Sequence, residues 1–185
     1  MSSVILMAMS LRKDSFNKKL ILNAQRILEA KGENVEVLSF NDFPMAVYNG
    51  DDETSQGLPK SVVDLGMRIS SSRGVIFSTP EYNGGMPGPF KNAFDWVSRI
   101  RPMPWTGKNI LLLGASPGAL GAVRSLWHSR VPFEAVGSFV FPEMYGLSAA
   151  HEAFDAEGKL GDAMQEQRLD KLLHSFLENL KRFSA

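Results

Sequence analysis

The residues Val4-Ile5-Leu6-Met7-Ala8-Met9 form an unbroken apolar run between Ser3 and Ser10. The run is too short to span a membrane and lacks the basic start of a secretory leader. It reads instead as a strand buried on both faces, the kind that parallel sheets contain. Leu20, Ile21, Ala24, Ile27 and Leu28 then recur at helical spacing, in a segment that starts among Ser15 and Asn17 and stops at Gly32. The alternation continues as strand 35–40, helix 62–72, strand 74–78, helix 90–98, strand 109–114, helix 120–131 and strand 137–141. A last helix carries Leu169, Leu172, Leu173, Phe176, Leu177 and Leu180 on one face. Five strands alternating with five helices predict an α/β fold with right-handed crossovers. The result is a three-layer, doubly wound, five-stranded parallel sheet that binds ligands outside the carboxyl ends of its strands.

A chain of 185 residues suits one domain over residues 1–185. Two polar stretches fall outside the alternation. Residues 41–57, with Asn49-Gly50-Asp51-Asp52, read as a long loop, a tolerated insertion in preference to a lid. Residues 142–161 are expected to cover the sheet edge or to meet another subunit. Lys plus Arg equal Asp plus Glu at 20 each, so no basic excess draws the chain to nucleic acid or to a membrane surface. The absence of cysteine excludes disulfides, thiolate metal sites and protein-thiol redox cycling, so redox work would need a cofactor. His128, His151 and His174 share no metal-ligand spacing with carboxylates, and no metal is expected. A cytoplasmic enzyme or binding protein is the expectation these features leave.

In such a sheet the chemistry belongs on the loops after the first, third and fourth strands. The first, Ser10-Leu11-Arg12-Lys13-Asp14-Ser15-Phe16-Asn17, sets hydroxyls, a guanidinium and a carboxamide before a helix N-terminus, where free N–H groups favour an anion. A terminal phosphate fits there, although Ser15 or Asn17 is equally readable as an ordinary cap. No glycine-rich run ends in Lys and Ser or Thr, which disfavours nucleotide triphosphate hydrolysis. The third-strand loop, Thr79-Pro80-Glu81-Tyr82-Asn83-Gly84-Gly85-Met86-Pro87-Gly88-Pro89, is stiffened by proline, while its glycines offer backbone N–H groups to a flat heterocycle.

The fourth-strand loop, residues 114–124, permits three readings. Gly114-Ala115-Ser116-Pro117-Gly118 fits the nucleophile elbow of a serine hydrolase, with His174 later in the chain. Pro117, however, has no N–H to give the oxyanion hole, a donor worth roughly 3 kcal/mol. The glycines also echo a dinucleotide fingerprint, but that motif belongs after the first strand. The preferred reading lets Ser116 and Gly118 approach the edge of a ring held by the third-strand loop.

These residues together resemble the NAD(P)H-dependent FMN reductases of flavodoxin-like fold, with azoreductase-like, quinone-reductase-like and chromate-reductase-like members. The likeness spans nearly the whole chain. Its markers are Ser10-Leu11-Arg12 with Ser15 and Asn17, Pro80-Glu81-Tyr82-Asn83 with Pro87-Gly88 and residues 91–96, and Ser116 with Gly118, Gly121 and Arg124. The resemblance implies the strand order 2-1-3-4-5. It implies that Ser10, Arg12, Ser15 and Asn17 hold the FMN phosphate, while Pro80, Glu81, Tyr82, Asn83, Gly84, Ser116 and Gly118 border the isoalloxazine. It also implies a homodimer or homotetramer, with the helix over residues 91–96 near a subunit contact. The chain departs from the pattern at Met9, where the family usually has Gly, so a side chain is expected to crowd the phosphate turn or to force a different backbone path. Gly85 and Ala122 are two further departures, from a hydroxyl residue and from a second glycine.

The expected activity is FMN-dependent: NADPH or NADH gives hydride to the flavin, and a quinone, azo compound, metal oxyanion or free flavin then accepts it. No protein acid or nucleophile is obligatory in such chemistry. The alternative is a non-enzymatic flavodoxin-like electron carrier, or a member that has lost tight FMN binding.

Overall fold

The computed structural model describes residues 3–182. Its parallel sheet has the order β2-β1-β3-β4-β5, the order the resemblance implies. The strands are β1 (Val4–Ala8), β2 (Val35–Ser39), β3 (Gly74–Thr79), β4 (Asn109–Ala115), β5 (Phe139–Val140) and β6 (Tyr145–Leu147). The helices are α1 (Phe16–Ala30), α2 (Gly50–Gln56), α3 (Lys60–Ser71), α4 (Gly88–Val97), α5 (Val123–Ala135) and α6 (Ala163–Arg182). Successive side chains of a strand point to opposite faces, and β1 shows the consequence. Val4, Leu6 and Ala8 pack with α1 and α6, whereas Ile5, Met7 and Met9 pack with α3, α4 and α5. On the latter face Phe133 is fully buried among Phe77, Phe90, Phe94 and Trp105, with ring centroids 5.1 to 6.0 Å away.

Three expectations need correction. The fifth strand is not one run over residues 137–141. β5 pairs the start of β4, through Asn109–Phe139 and Ile110–Val140, and β6 pairs its end, from Leu113–Tyr145 to Ala115–Leu147. Pro142, which has no N–H to give a ladder, lies in the gap between them. Residues 41–57 are not loop throughout, because they hold α2 and the end of a 3-10 turn, Phe40–Asp42. They are fastened to α4, since the Asn92 carboxamide accepts from Tyr48 N–H at 2.8 Å and donates to Ala46 O at 2.9 Å. Trp96 Nε1 donates to the same carbonyl at 2.8 Å, so Trp96 is buried within the chain. The fourth helix of the expected series begins at Val123 rather than residue 120 and runs past Pro132, which sits in its last turn. A proline reads as a helix end in sequence, but here it removes only the one bond its own N–H would make four residues back, and the helix ends three residues later.

Candidate functional site

The three central strands of the sheet, β1, β3 and β4, deliver their following loops to one rim, because every crossover returns the chain in the same direction. A cavity of about 250 Å³ opens there. Ser10, Arg12, Ser15, Asn17, Pro80, Glu81, Tyr82 and Ser116 line it, together with Phe16, Ala115 and Pro117. Asn83, Gly84 and Gly118 stand outside that lining. A larger cavity of about 680 Å³ lies between β2 and α3, but none of the three loops reaches it.

Ser15 caps α1, its hydroxyl accepting from Asn17 N–H at 3.2 Å. The cap reading left open by the sequence is therefore realised, and the early N–H groups of the helix still face the cavity end of α1. Arg12 is exposed and makes no ion pair with the described residues, so a positive charge stands at the cavity mouth. Asn17 is 2% exposed and its carboxamide is engaged. Its Oδ1 accepts from Ser78 Oγ at 2.7 Å and from Ala115 N–H at 2.9 Å, and its Nδ2 donates to Ala115 O at 3.0 Å.

Met9 does not crowd this turn. Its side chain lies in the core on the α3 and α4 side of the sheet, and its N–H donates to Ser78 O at 2.8 Å. Strand alternation continues through Met9, which leaves Ser10 to face the α1 side.

Asn83 and Gly84 make a tight hairpin turn, which explains why they miss the cavity. Tyr82 and Gly85 exchange backbone hydrogen bonds of 3.2 and 3.0 Å across it, and both central residues have positive φ, 52° and 76°. Asn-Gly is the pair that such a turn favours. The glycine here thus serves the turn. The hydroxyl missing at Gly85 has its space taken, since a Cβ built there would come 3.2 Å from His128 Nδ1.

Glu81 and Arg124 are a pair that local spacing did not reveal. Glu81 Oε1 accepts from Arg124 Nε at 2.7 Å and also meets Nη2, while Oε2 accepts from Arg124 N–H at 3.1 Å. Burial alone would push this carboxyl upward, but the bonds and charge of Arg124 outweigh it and hold the carboxyl below its ordinary range. The pair joins the third-strand loop to the start of α5. The lowered folded value means the stabilisation is complete above the ordinary carboxylate range and is lost as pH falls through that lowered value. Glu81→Gln should therefore cost about 1 kcal/mol at pH 7 and less near pH 3. Urea unfolding of both proteins at the two pH values measures this, and an equal cost at each would show that the pair is not formed.

The fourth loop is shaped by the segment after it. Ser116 N–H donates to Leu147 O at 3.0 Å, Ala150 N–H to Ser116 O at 3.1 Å, and Ala149 N–H to Gly118 O at 3.3 Å. Ser116 Oγ accepts from Gly118 N–H at 3.2 Å, which closes a local turn. Among the described residues no imidazole hydrogen-bonds Ser116, and His174 lies on the exposed face of α6, so nothing there activates a serine nucleophile. Gly121 has φ +56° and rests against the backbone of Gly146 and Leu147. Ala122 adopts φ 66° as the N-cap of α5, without a side-chain cap bond.

Comparison with known proteins bears on this rim. The family described as NADPH-dependent FMN reductase matches residues 2–152. An NAD(P)H-dependent FMN reductase of Pseudomonas aeruginosa is 34% identical over 168 residues, 90% of this chain and 88% of that protein. A quinone reductase of Escherichia coli K12 is 32% identical over 181 residues, 97% and 95% of the two chains. Among solved structures, FerB of Paracoccus denitrificans, a flavoenzyme NAD(P)H:(acceptor) oxidoreductase, superposes with a TM-score of 0.84 at 32% identity, covering 99% of each chain. An archaeal flavodoxin, at 12% identity and a TM-score of 0.62, shares the fold.

Proposed function

Because the chain belongs to the NADPH-dependent FMN reductase family, we propose that its three-loop rim is the seat of FMN and that a quinone is the acceptor it serves. The protein is an NAD(P)H-dependent flavin oxidoreductase. The observation that carries the reading of the site is the meeting of Arg12, the α1 N-terminus, the Pro80-Glu81-Tyr82 stretch and Ser116 around one cavity. That cavity is below the roughly 300 Å³ at which enclosed ligand pockets begin. A flavin nucleotide would therefore sit with its phosphate end inside and its ring toward the exposed Tyr82 and the Ser116 turn.

The residues present fit the group. Arg12 and the N–H groups at the start of α1 supply positive potential for a phosphate dianion, and Ser10 and Ser15 bring hydroxyls to the same wall. Glu81 puts a carboxylate in that lining, but Arg124 neutralises it, so the wall does not repel a ring that gains electrons. Bound FMN would supply the hydride chemistry, and the chain's work is to hold and orient it. The Pro80 ring and the Asn83-Gly84 hairpin stiffen one wall, and the Glu81–Arg124 bonds keep it at a set distance from α5.

The quinone assignment is supported by the quinone reductase of Escherichia coli among the relatives and by the uncharged, half-exposed Tyr82 at the rim. Assembly as a homodimer or homotetramer is part of the proposal, supported by Trp127 and Val131, 57% and 67% exposed one turn apart on α5. A cytoplasmic location belongs to the proposal as well. Among the described residues no helix is long and apolar enough to cross a membrane.

Mixing the FMN-loaded protein anaerobically with NADPH should bleach the 450 nm band within seconds, as turnover of about 1 to 1000 per second requires. Added benzoquinone should restore the colour at once. A band unchanged after minutes, or restored by oxygen but not by quinone, would remove the reaction or the acceptor respectively.

A further inference from the structure

The carboxamide of Asn17 sits where three elements meet. Asn17 is the second residue of α1, Ser78 is one residue short of the end of β3, and Ala115 is the last residue of β4. The loops those strands feed, starting at Pro80 and Ser116, form the other walls of the cavity. Oδ1 takes two donors, one from each strand, and Nδ2 reaches back to the carbonyl of Ala115. These bonds span 61 and 98 residues of sequence, and all their partners are buried. A buried polar network with every bond in place specifies one arrangement of its elements, and removing one partner leaves the others unsatisfied.

We infer that Asn17 is a positioning residue, which sets the spacing between the phosphate end and the ring end of the site by clamping α1 to β3 and β4, rather than a phosphate ligand. This rests on the flavin reading of the rim. Without the clamp, a smaller share of molecules holds the three loops in the binding arrangement. Affinity then falls by that share for every flavin, with or without a phosphate.

The test compares FMN with riboflavin, which has the ring and the sugar alcohol but no phosphate, by quenching of flavin fluorescence on titration with apoprotein. Asn17→Ala should weaken both ligands by the same factor, within about twofold, and at least about fivefold. Ser78→Ala gives an independent arm, because Ser78 is fully buried and lies outside the cavity lining. It removes one donor to Oδ1 and should also weaken both flavins, by about fivefold. Asn17→Asp supplies the conservative rescue. A carboxylate there would face Ala115 O, and protonation would restore the donor, so riboflavin affinity of this variant should rise as pH falls from 8 to 5 while that of the wild type stays level. A loss confined to FMN, no response to Ser78→Ala, or a level pH profile in Asn17→Asp would each overturn the positioning role. Should the wild type bind neither flavin, the flavin reading of the rim falls and the positioning role with it.

Discussion

Gly121→Ala is expected to lower the melting temperature by roughly 10 °C, the consequence of a loss of about 3 kcal/mol in a chain of this size. Two costs add. Gly121 has φ +56°, and an L side chain in that region costs about 1 to 2 kcal/mol. Its added Cβ would also lie 2.8 Å from the carbonyl carbon of Gly146 and 3.0 Å from the backbone of Leu147. Those atoms belong to β6, held to β4 by its ladder, so the clash can be relieved only by moving backbone, at about 1 to 3 kcal/mol more. Gly118 is the control in the same loop. Its added Cβ would come no closer than 3.6 Å, to Ser116 Oγ, and Gly118→Ala should shift the melting temperature by less than about 3 °C. Thermal unfolding followed by circular dichroism decides, and a Gly121→Ala protein that melts with the wild type would mean the two backbones do not touch.

Arg12→Ala is expected to weaken FMN by about thirtyfold, equivalent to about 2 kcal/mol, while changing riboflavin by less than about twofold. The side chain lines the cavity and is not tied up in an ion pair with the described residues, so its charge is available to a ligand. A hydrogen bond between a guanidinium and a phosphate is worth about 1.5 to 3 kcal/mol, and exposure to water trims the upper end of that range. The α1 N-terminus and the hydroxyls of Ser10 and Ser15 remain in the variant, which keeps the loss from becoming complete. Fluorescence titration with the two flavins measures the difference. Equal losses for both would place the phosphate elsewhere, and the contrast with Asn17→Ala, where equal losses are expected, separates a ligand from a clamp.

The architecture was legible because buried parallel strands and amphipathic helices leave periodic apolar patterns. The run from Val4 and the leucine stripe of α6 are the clearest examples. The break between β5 and β6 was less legible. A strand of two residues and one of three carry too little periodicity, and only their pairing with opposite ends of β4 reveals that they complete one edge. Residues 41–57 looked like loop because α2 has no buried residue, and a helix without an apolar face leaves no stripe to read.

At the rim, residue type marks the loops that meet at one cavity but not each residue's task. No motif marks Ser78, although a hydroxyl in a fully buried strand such as Gly74–Thr79 is itself a sign that something nearby must bond to it. In sequence the glycines of the third and fourth loops read as openings for a ligand. Gly84 is required by its hairpin and Gly121 by the backbone of Gly146, neither of which local spacing can show. Met9 reads as an obstruction in sequence, and strand alternation turns its side chain into the core instead.

By itself the order of apolar and polar residues determined the layered parallel sheet, the sequence of its elements and the end at which the loops gather, since periodicity and crossover handedness are local properties of the chain. Which side chains are paired, and so which remain free to meet a ligand, was decided by tertiary structure alone. Glu81 finds Arg124 across 43 residues and Asn17 finds Ala115 across 98. Such bonds depend on how strands stack and where loops land, distances that no spacing along the chain encodes.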